Sequence, residues 1–488
     1  MIYAALVLAV VFFALFPLTD TDIWWHLACA RESLVTGTAG KDFLMWTESR
    51  EPWINIHEYF QQVVYSVFNL GGAPLLVVFK AMLWGSVFAL FLFPFRKQLA
   101  QVSKYRFAVA LFFLFVFRYC FEIRPVVFSL FFLGVFWVLL FEIIRIELEN
   151  RKSYFKMLSL FLLLLSVQWL WNKTQGLFIL GPGLVSVFLI GFRKGKKNYN
   201  YMFLFFVILL LTPFFHSEKH LLWLYPFGLL ERLLGFTSSA AIFASQITEN
   251  RSPISLLIEG ESILSSAFAL LLSLSCLLLG VLRLFNSIRD KSITVVSIWL
   301  ILMAFLALIA ERNFVLLLPV AVPFLLIWRE ASWERNPRTS FFLNRFALLI
   351  ICFIFGFWVR SLLPYDKTMI ASTRVPVVAA SWMASHPHQG RLFNDDRMGG
   401  YLAWRNPAKA TYIDGRFILK SSSFFERYLD YAVNPKRFFK DADKEGIDRA
   451  VFPLRYYARF DALIFALQQN EKWHLVYKDL DYVVFDKY

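Results

Sequence analysis

The sequence predicts a polytopic α-helical membrane protein of about eleven transmembrane helices, followed by a small C-terminal α/β domain. Three observations predict it. Of the 488 residues, 58% are hydrophobic and 17% charged, whereas a soluble chain carries about 45–50% apolar residues. Most apolar residues fall in runs of about 17–22, the length a helix needs to cross a bilayer core. The segments between the runs alternate in basicity, as cytoplasmic and opposite-side loops do.

The runs lie near 2–19, 72–95, 107–118, 126–144, 157–171, 176–192, 199–215, 262–282, 293–310, 313–328 and 343–363. The first is read as a span rather than a cleaved signal peptide. It has no basic segment before it, and a charged, Trp-rich stretch separates it from the small residues Leu27-Ala28-Cys29-Ala30. Nineteen Lys and Arg, in the loops around Arg96, Arg145, Arg193, Arg283 and Arg329, stand on one side, against ten on the other before the tail. The denser side is cytoplasmic by the positive-inside rule, so the loop at 20–60 and the tail lie outside. Net charge +15 is then a topology signal, and nucleic acid is not an expected partner. Four cysteines, three in or beside apolar runs, predict packing and no disulfide framework.

This divides the chain into 1–363, a membrane domain whose external loop 20–60 holds the candidate active site, and 364–488, a soluble extracytoplasmic domain. In the tail, Arg391–Asn394, Ala410–Ile413, Arg449–Phe452, His474–Tyr477 and Tyr482–Phe485 read as strands, and 374–385, 422–432 and 456–469 as helices.

The densest polar constellation is the first external loop. Asp20 and Asp22 stand where the first span ends, followed by Trp24, Trp25 and His26, with Trp53, Asn55, His57 and Glu58 before the second span. A helix opening at Asp22 places His26 one turn on, on the same face. A partly desolvated carboxylate there suits a general base or an oxygen ligand for a divalent ion, and His57 and Glu58 offer a second acid/base or ligand. The bland reading of the acids is a helix cap, with the Trp residues as an interfacial belt. Against it stands the recurrence of acids, histidines and tryptophans at both ends of one loop. Other external loops add Arg118, Arg124, Asn172, Gln175 and Arg312. Singly each suits an ion pair or interface anchor; together they suit a phosphate, which guanidinium groups bind as a fork.

The run Asp20-Thr21-Asp22-Ile23-Trp24-Trp25-His26-Leu27, with Trp53-Ile54-Asn55-Ile56-His57-Glu58, resembles bacterial multi-span proteins of the GT-C glycosyltransferase superfamily, distantly like protein mannosyltransferases and lipid A aminoarabinose transferases. Gly399-Gly400-Tyr401-Leu402-Ala403-Trp404 and Ile413-Asp414-Gly415-Arg416 are similar to the external domain of that group. The resemblance implies transfer of a sugar from a polyprenyl-phosphate carrier to an envelope glycan, lipid or protein on the outer face of the inner membrane. An acid of the first external loop, Asp20 or Asp22, would act as base or organise a divalent cation such as Mg or Mn. Two departures stand out: relatives often show a histidine after Trp-x-Asn beyond the fifth span, whereas here the run is Trp171-Asn172-Lys173-Thr174-Gln175-Gly176, and Thr21 splits the acids. Acceptor class and metal dependence stay open on these residues.

Two rival readings use the same features. A transporter or flippase of a lipid-linked or anionic substrate would need charged or broken helices near the midplane, and the deep runs are almost free of Asp and Glu. A noncatalytic envelope scaffold would use the tail surface around Arg391, Asp395, Tyr401 and Arg416.

Overall fold

The computed structural model describes residues 2–36, 42–49, 53–148, 154–192, 199–260, 262–286, 291–327, 337–456 and 459–488. Of the loop cations counted above, Lys41, Arg50, Arg151, Lys152, Arg193, Lys194, Lys196, Lys197, Arg289, Arg329 and Arg335 lie outside the described residues. The chain divides into two units, Met1–Phe16 with Val77–Pro364, and Pro17–Leu76 with Tyr365–Tyr488.

The larger unit is helical. Among the described residues, five helices are long and apolar enough to cross a membrane: Glu58–Leu99, Pro125–Ile146, Phe155–Asn172, Ile263–Phe285 and Phe341–Leu362. A sixth forms if Asn200–Phe215 and Lys219–Glu231, bent by 109°, count as one span. The expectation of about eleven spans is not confirmed by this measure. Helices occupy the other expected positions but are short: Ile2–Phe13 has 12 residues, about 18 Å at 1.5 Å per residue, against a hydrocarbon core of about 30 Å. Phe314–Ile327 is buried along nearly its whole length despite two internal prolines, Pro319 and Pro323. Local chemistry sets several starts: Ser252 accepts from the Ser255 N–H at 3.1 Å and is followed by Pro253 at the first helical position.

The long helix beginning at Glu58 is interrupted at Gly71 (φ −158°, ψ 21°) and Gly72 (φ 64°, ψ −159°), just before Pro74. Gly72 occupies the positive-φ region that side chains disfavour, and Pro74 cannot donate a helical hydrogen bond, so the break is written locally.

The smaller unit holds a four-stranded sheet, β1 (Arg391–Asn394), β2 (Ile447–Pro453), β3 (Trp473–Lys478) and β4 (Tyr482–Lys487), in the order β1-β2-β4-β3. β1 runs parallel to β2; β4 is antiparallel to both β2 and β3. Arg449 and Asp486 are cross-strand partners joined by two 2.6 Å hydrogen bonds, a bidentate pair within the sheet. Phe393 on β1 anchors the aromatic core, its ring 4.7 Å from Tyr412 and 4.9 Å from Phe438.

Two sequence expectations are corrected here. Ala410–Ile413 is no sheet strand: Thr411 makes an isolated bridge with Met45. The helix expected at 456–469 is confined to Asp461–Gln468. Asp396–Arg405 and Pro435–Glu445 are further helices, the second closed by Gly446 in the left-handed conformation (φ 69°).

Asp395 caps Asp396–Arg405 by accepting from the Arg397 N–H at 3.0 Å. It is wholly buried, and its Oδ2 has no hydrogen-bond partner among the described residues. Burial, then the neighbouring Asp396 charge, push its carboxyl up to about 6. A folded value above the unfolded one means that acid stabilises: this group's contribution is present below the unfolded value of about 3.9 and is lost as pH rises through about 6. Asp395→Asn keeps a capping oxygen and removes the charge. It should raise the melting temperature at pH 7 by a few degrees and flatten the pH dependence between about 4 and 6; thermal melts across that range check it.

Candidate functional site

The smaller unit brings the two ends of the first loop together. The helix Asp22–Thr36 opens on Asp22, whose charge suits the positive end of the helix dipole. His26, one turn on, is 1% exposed. Its Nδ1 lies 3.4 Å from Gln61 Nε2, so Nδ1 accepts and the ring proton sits on Nε2. Gln61 is itself locked to Asn55 by reciprocal amide bonds of 2.7 and 3.2 Å. The Asn55 carbonyl oxygen also accepts from the His57 N–H at 3.2 Å. The rings of His26 and His57 meet edge to face at 5.2 Å, and Trp25 lies against His26 at 3.5 Å. Asp22, Trp25, His26 and His57 thus share one neighbourhood. Glu58 opens the helix that follows, and Asp20, before the Asp22–Thr36 helix, is 4% exposed.

The tail segment 411–420 completes this neighbourhood. Leu44 O accepts from the Thr411 N–H at 2.8 Å, and Trp46 N–H donates to Thr411 O at 3.0 Å. Arg416 is the central bolt. Its Nη2 donates to Asp42 at 2.8 Å and to Asp414 at 2.7 Å, and its Nε donates to both Asp414 oxygens at 3.0 Å. Burial alone would push the Asp42 carboxyl up; Arg416, the Ser49 hydroxyl and the Leu44 N–H together hold it below the usual range. Lys420 donates to Thr47 Oγ1 at 2.6 Å and to Glu48 O at 2.9 Å, and burial lowers its ammonium to about 8. Cys29 packs beside Arg416, and burial pushes its thiol up to about 12, which makes it inert. Gly399 and Gly400 sit on the Asp396–Arg405 helix, where a side chain at Gly400 would come 2.9 Å from Trp25 N.

The remaining expected residues belong to the larger unit, and each has an internal partner. Arg118 donates to Phe115 O at 2.7 Å and lies over the Trp358 ring at 5.0 Å. Arg124 grips both oxygens of Glu249 at 2.9 and 2.8 Å; Arg124, with Arg312 adding to it, holds that carboxyl down at about 2 against the effect of burial. Arg312 donates to Asn250 at 2.9 Å. Asn172 is fully buried and donates to Thr212 at 2.9 Å. Gln175 accepts from Ser129 at 3.2 Å and from the Leu177 N–H, capping the turn that follows.

Sequence reasoning missed Lys80. It is fully buried inside an apolar helix, donates to Phe16 O at 2.8 Å and lies 3.4 Å from the centre of the Phe16 ring. A lysine in an apolar run is itself the signal, because an intramembrane cation is costly and marks function by default. Among the described residues no group of three or more His, Cys, Asp or Glu is placed to hold a metal ion. The described residues therefore offer no such set for the divalent cation that the resemblance allows.

No family model and no curated protein matches the sequence. Solved structures do match in fold. The oligosaccharyltransferase of Archaeoglobus fulgidus, in complex with Zn and sulfate, superposes with a TM-score of 0.55 at 12% identity, over 93% of this chain and 68% of that one. The same organism's oligosaccharyltransferase AglB, with an inhibitory peptide and a dolichol-phosphate, gives 0.55 at 11%, over 92% and 69%. ArnT from Cupriavidus metallidurans, bound to undecaprenyl phosphate, gives 0.52 at 14%, over 99% of this chain and 97% of that one. The chain therefore has the fold of these proteins, as its first-loop and tail motifs implied.

Proposed function

We propose that the protein is a multi-pass glycosyltransferase of the inner membrane that moves a sugar from a polyprenyl-phosphate carrier to a cell-envelope acceptor on the extracytoplasmic face. The observation that carries the reading is the convergence of Asp22, Trp25, His26 and His57 in one neighbourhood, on a fold shared with proteins bound to dolichol-phosphate and undecaprenyl phosphate. The shorter apolar helices are proposed to complete the expected eleven spans.

In the proposed reaction a carboxylate, Asp22 or Asp20, takes the proton of the acceptor hydroxyl as its oxygen attacks the anomeric carbon. The bond from that carbon to the phosphate oxygen breaks, and its electron pair leaves with polyprenyl phosphate. A single displacement inverts the anomeric centre. His26, held as the Nε2–H tautomer, His57 and Glu58 are assigned to orienting the sugar and acceptor hydroxyls. Trp25 offers an aromatic face to the sugar. Arg118, Arg124 and Arg312 are assigned to donor phosphate, and Asn172 and Gln175 to the donor through their polar loop.

The purified protein, incubated with a panel of polyprenyl-phosphate sugars, should release free polyprenyl phosphate from at least one. Movement of intact donor across liposomes without release would instead favour the transporter.

A further inference from the structure

We infer that the tail turn Asp414-Gly415-Arg416 is a positioning element for the Asp22 carboxylate, with Gly415 as its seat. The inference rests on the proposed role of Asp22 and adds a function for the tail. Gly415 does not take a positive φ, so its backbone does not demand glycine; what the position uses is the empty space. A Cβ placed there would run into Asp22 Oδ1, and would lie 3.1 Å from Asp22 Cγ and 3.3 Å from Trp25 Nε1. A second glycine receives the same turn: a Cβ at Gly400 would lie 3.1 Å from Trp25 Cβ and 3.4 Å from Thr21 O. Two tail glycines thus accept the first turn of the Asp22–Thr36 helix, one under its backbone and one under its leading carboxylate.

The seat is fixed from behind. Arg416 is 4% exposed, and Asp414 is fully buried. The Arg416 N–H donates to Asp414 Oδ1 at 2.9 Å while its guanidinium holds Asp414 and Asp42 together. The turn carrying Gly415 therefore has little freedom to yield. The Asp22 carboxylate is the far end of a side chain, so it is the group expected to give way. A methyl at 415 is expected to turn the carboxylate aside and leave the fold standing.

Gly415→Ala should melt close to wild type, keep the KM for donor, and lose about 100-fold in kcat, the scale of a reacting group displaced by about 1 Å. An unchanged kcat overturns the inference. Should Gly415→Ala fail to fold, Gly415→Ala combined with Asp22→Ala removes the obstructing carboxylate and should restore folded yield; no restoration also overturns it. One arm is independent of turnover. The alkylation rate of the thiol in Asp22→Cys, followed by mass spectrometry of its peptide, should rise several-fold when Gly415→Ala is added. Equal rates overturn the inference whether or not the protein transfers sugar. A wild type inert toward every donor overturns the proposed function alone and leaves the alkylation result to decide the positioning.

Discussion

Replacing Asp22 with Asn is expected to lower turnover by about 10²–10⁴-fold, the range contributed by a positioned general base. The substitution is isosteric and sits at the first position of the Asp22–Thr36 helix. There the lost charge costs the helix about 0.3–1 kcal/mol, too little to unfold the protein. Loss of kcat with donor KM unchanged would mark a group acting in the transition state rather than in ground-state binding. Asp20→Asn supplies the contrast. Asp20 is 4% exposed and precedes the helix, so if Asp22 is the base, Asp20→Asn should leave a measurable rate. The reverse ranking would assign the base to Asp20, and full rates in both variants would remove the loop from the mechanism. Initial rates of polyprenyl phosphate release, measured on protein of matched melting temperature, decide among these outcomes.

Much of this neighbourhood was legible because its signals are local. Asp22 and His26 are one helical turn apart, and the turn is visible in the spacing. The convergence of His26 with His57 was legible as a recurrence of residue types at the two ends of one loop. The bolt behind them was not. Arg416 and Asp42 are 374 positions apart, and no periodicity links an arginine in the tail to an aspartate in the first loop. The Asp396–Arg405 helix was hidden by the residues that give it a role, since adjacent glycines argue against a helix, and here Gly400 is what lets Trp25 approach. Ala410–Ile413 carries a strand's composition, yet its pairing is a single bridge to Met45, because the segment binds the first loop and not the sheet. Hydropathy located the helices of the larger unit; Pro125–Leu148 and Ile263–Asn286 run past the expected 126–144 and 262–282, while the first run, 2–19, stops at Phe13. Phe314–Ile327 is apolar because it is buried among other helices, a condition that composition cannot distinguish from burial in lipid.

Arg416→Ala is expected to be the most destabilising substitution in the smaller unit. It leaves the Asp42 and Asp414 side chains, 3% and 0% exposed, without their shared cation. Removing one partner of a buried ion pair costs about 3–5 kcal/mol, since the charges left behind keep their desolvation penalty. Arg416→Lys should fall between, because a single ammonium keeps the charge but cannot reproduce the fork that spans both acids. The pH dependence separates this mechanism from a simple packing loss. With Arg416 present, the folded value of Asp42 lies below its unfolded value. Its stabilisation is therefore complete above the unfolded value of about 3.9 and disappears as pH falls through the folded one. Without Arg416, burial dominates and the folded Asp42 carboxyl rises above its unfolded value, so the variant should gain stability as pH falls from 7 toward 4. Wild type and Arg416→Ala should therefore converge in melting temperature on mild acidification. A constant difference across that range would show that the guanidinium contributes by packing alone, and would remove the electrostatic bolt from behind Gly415.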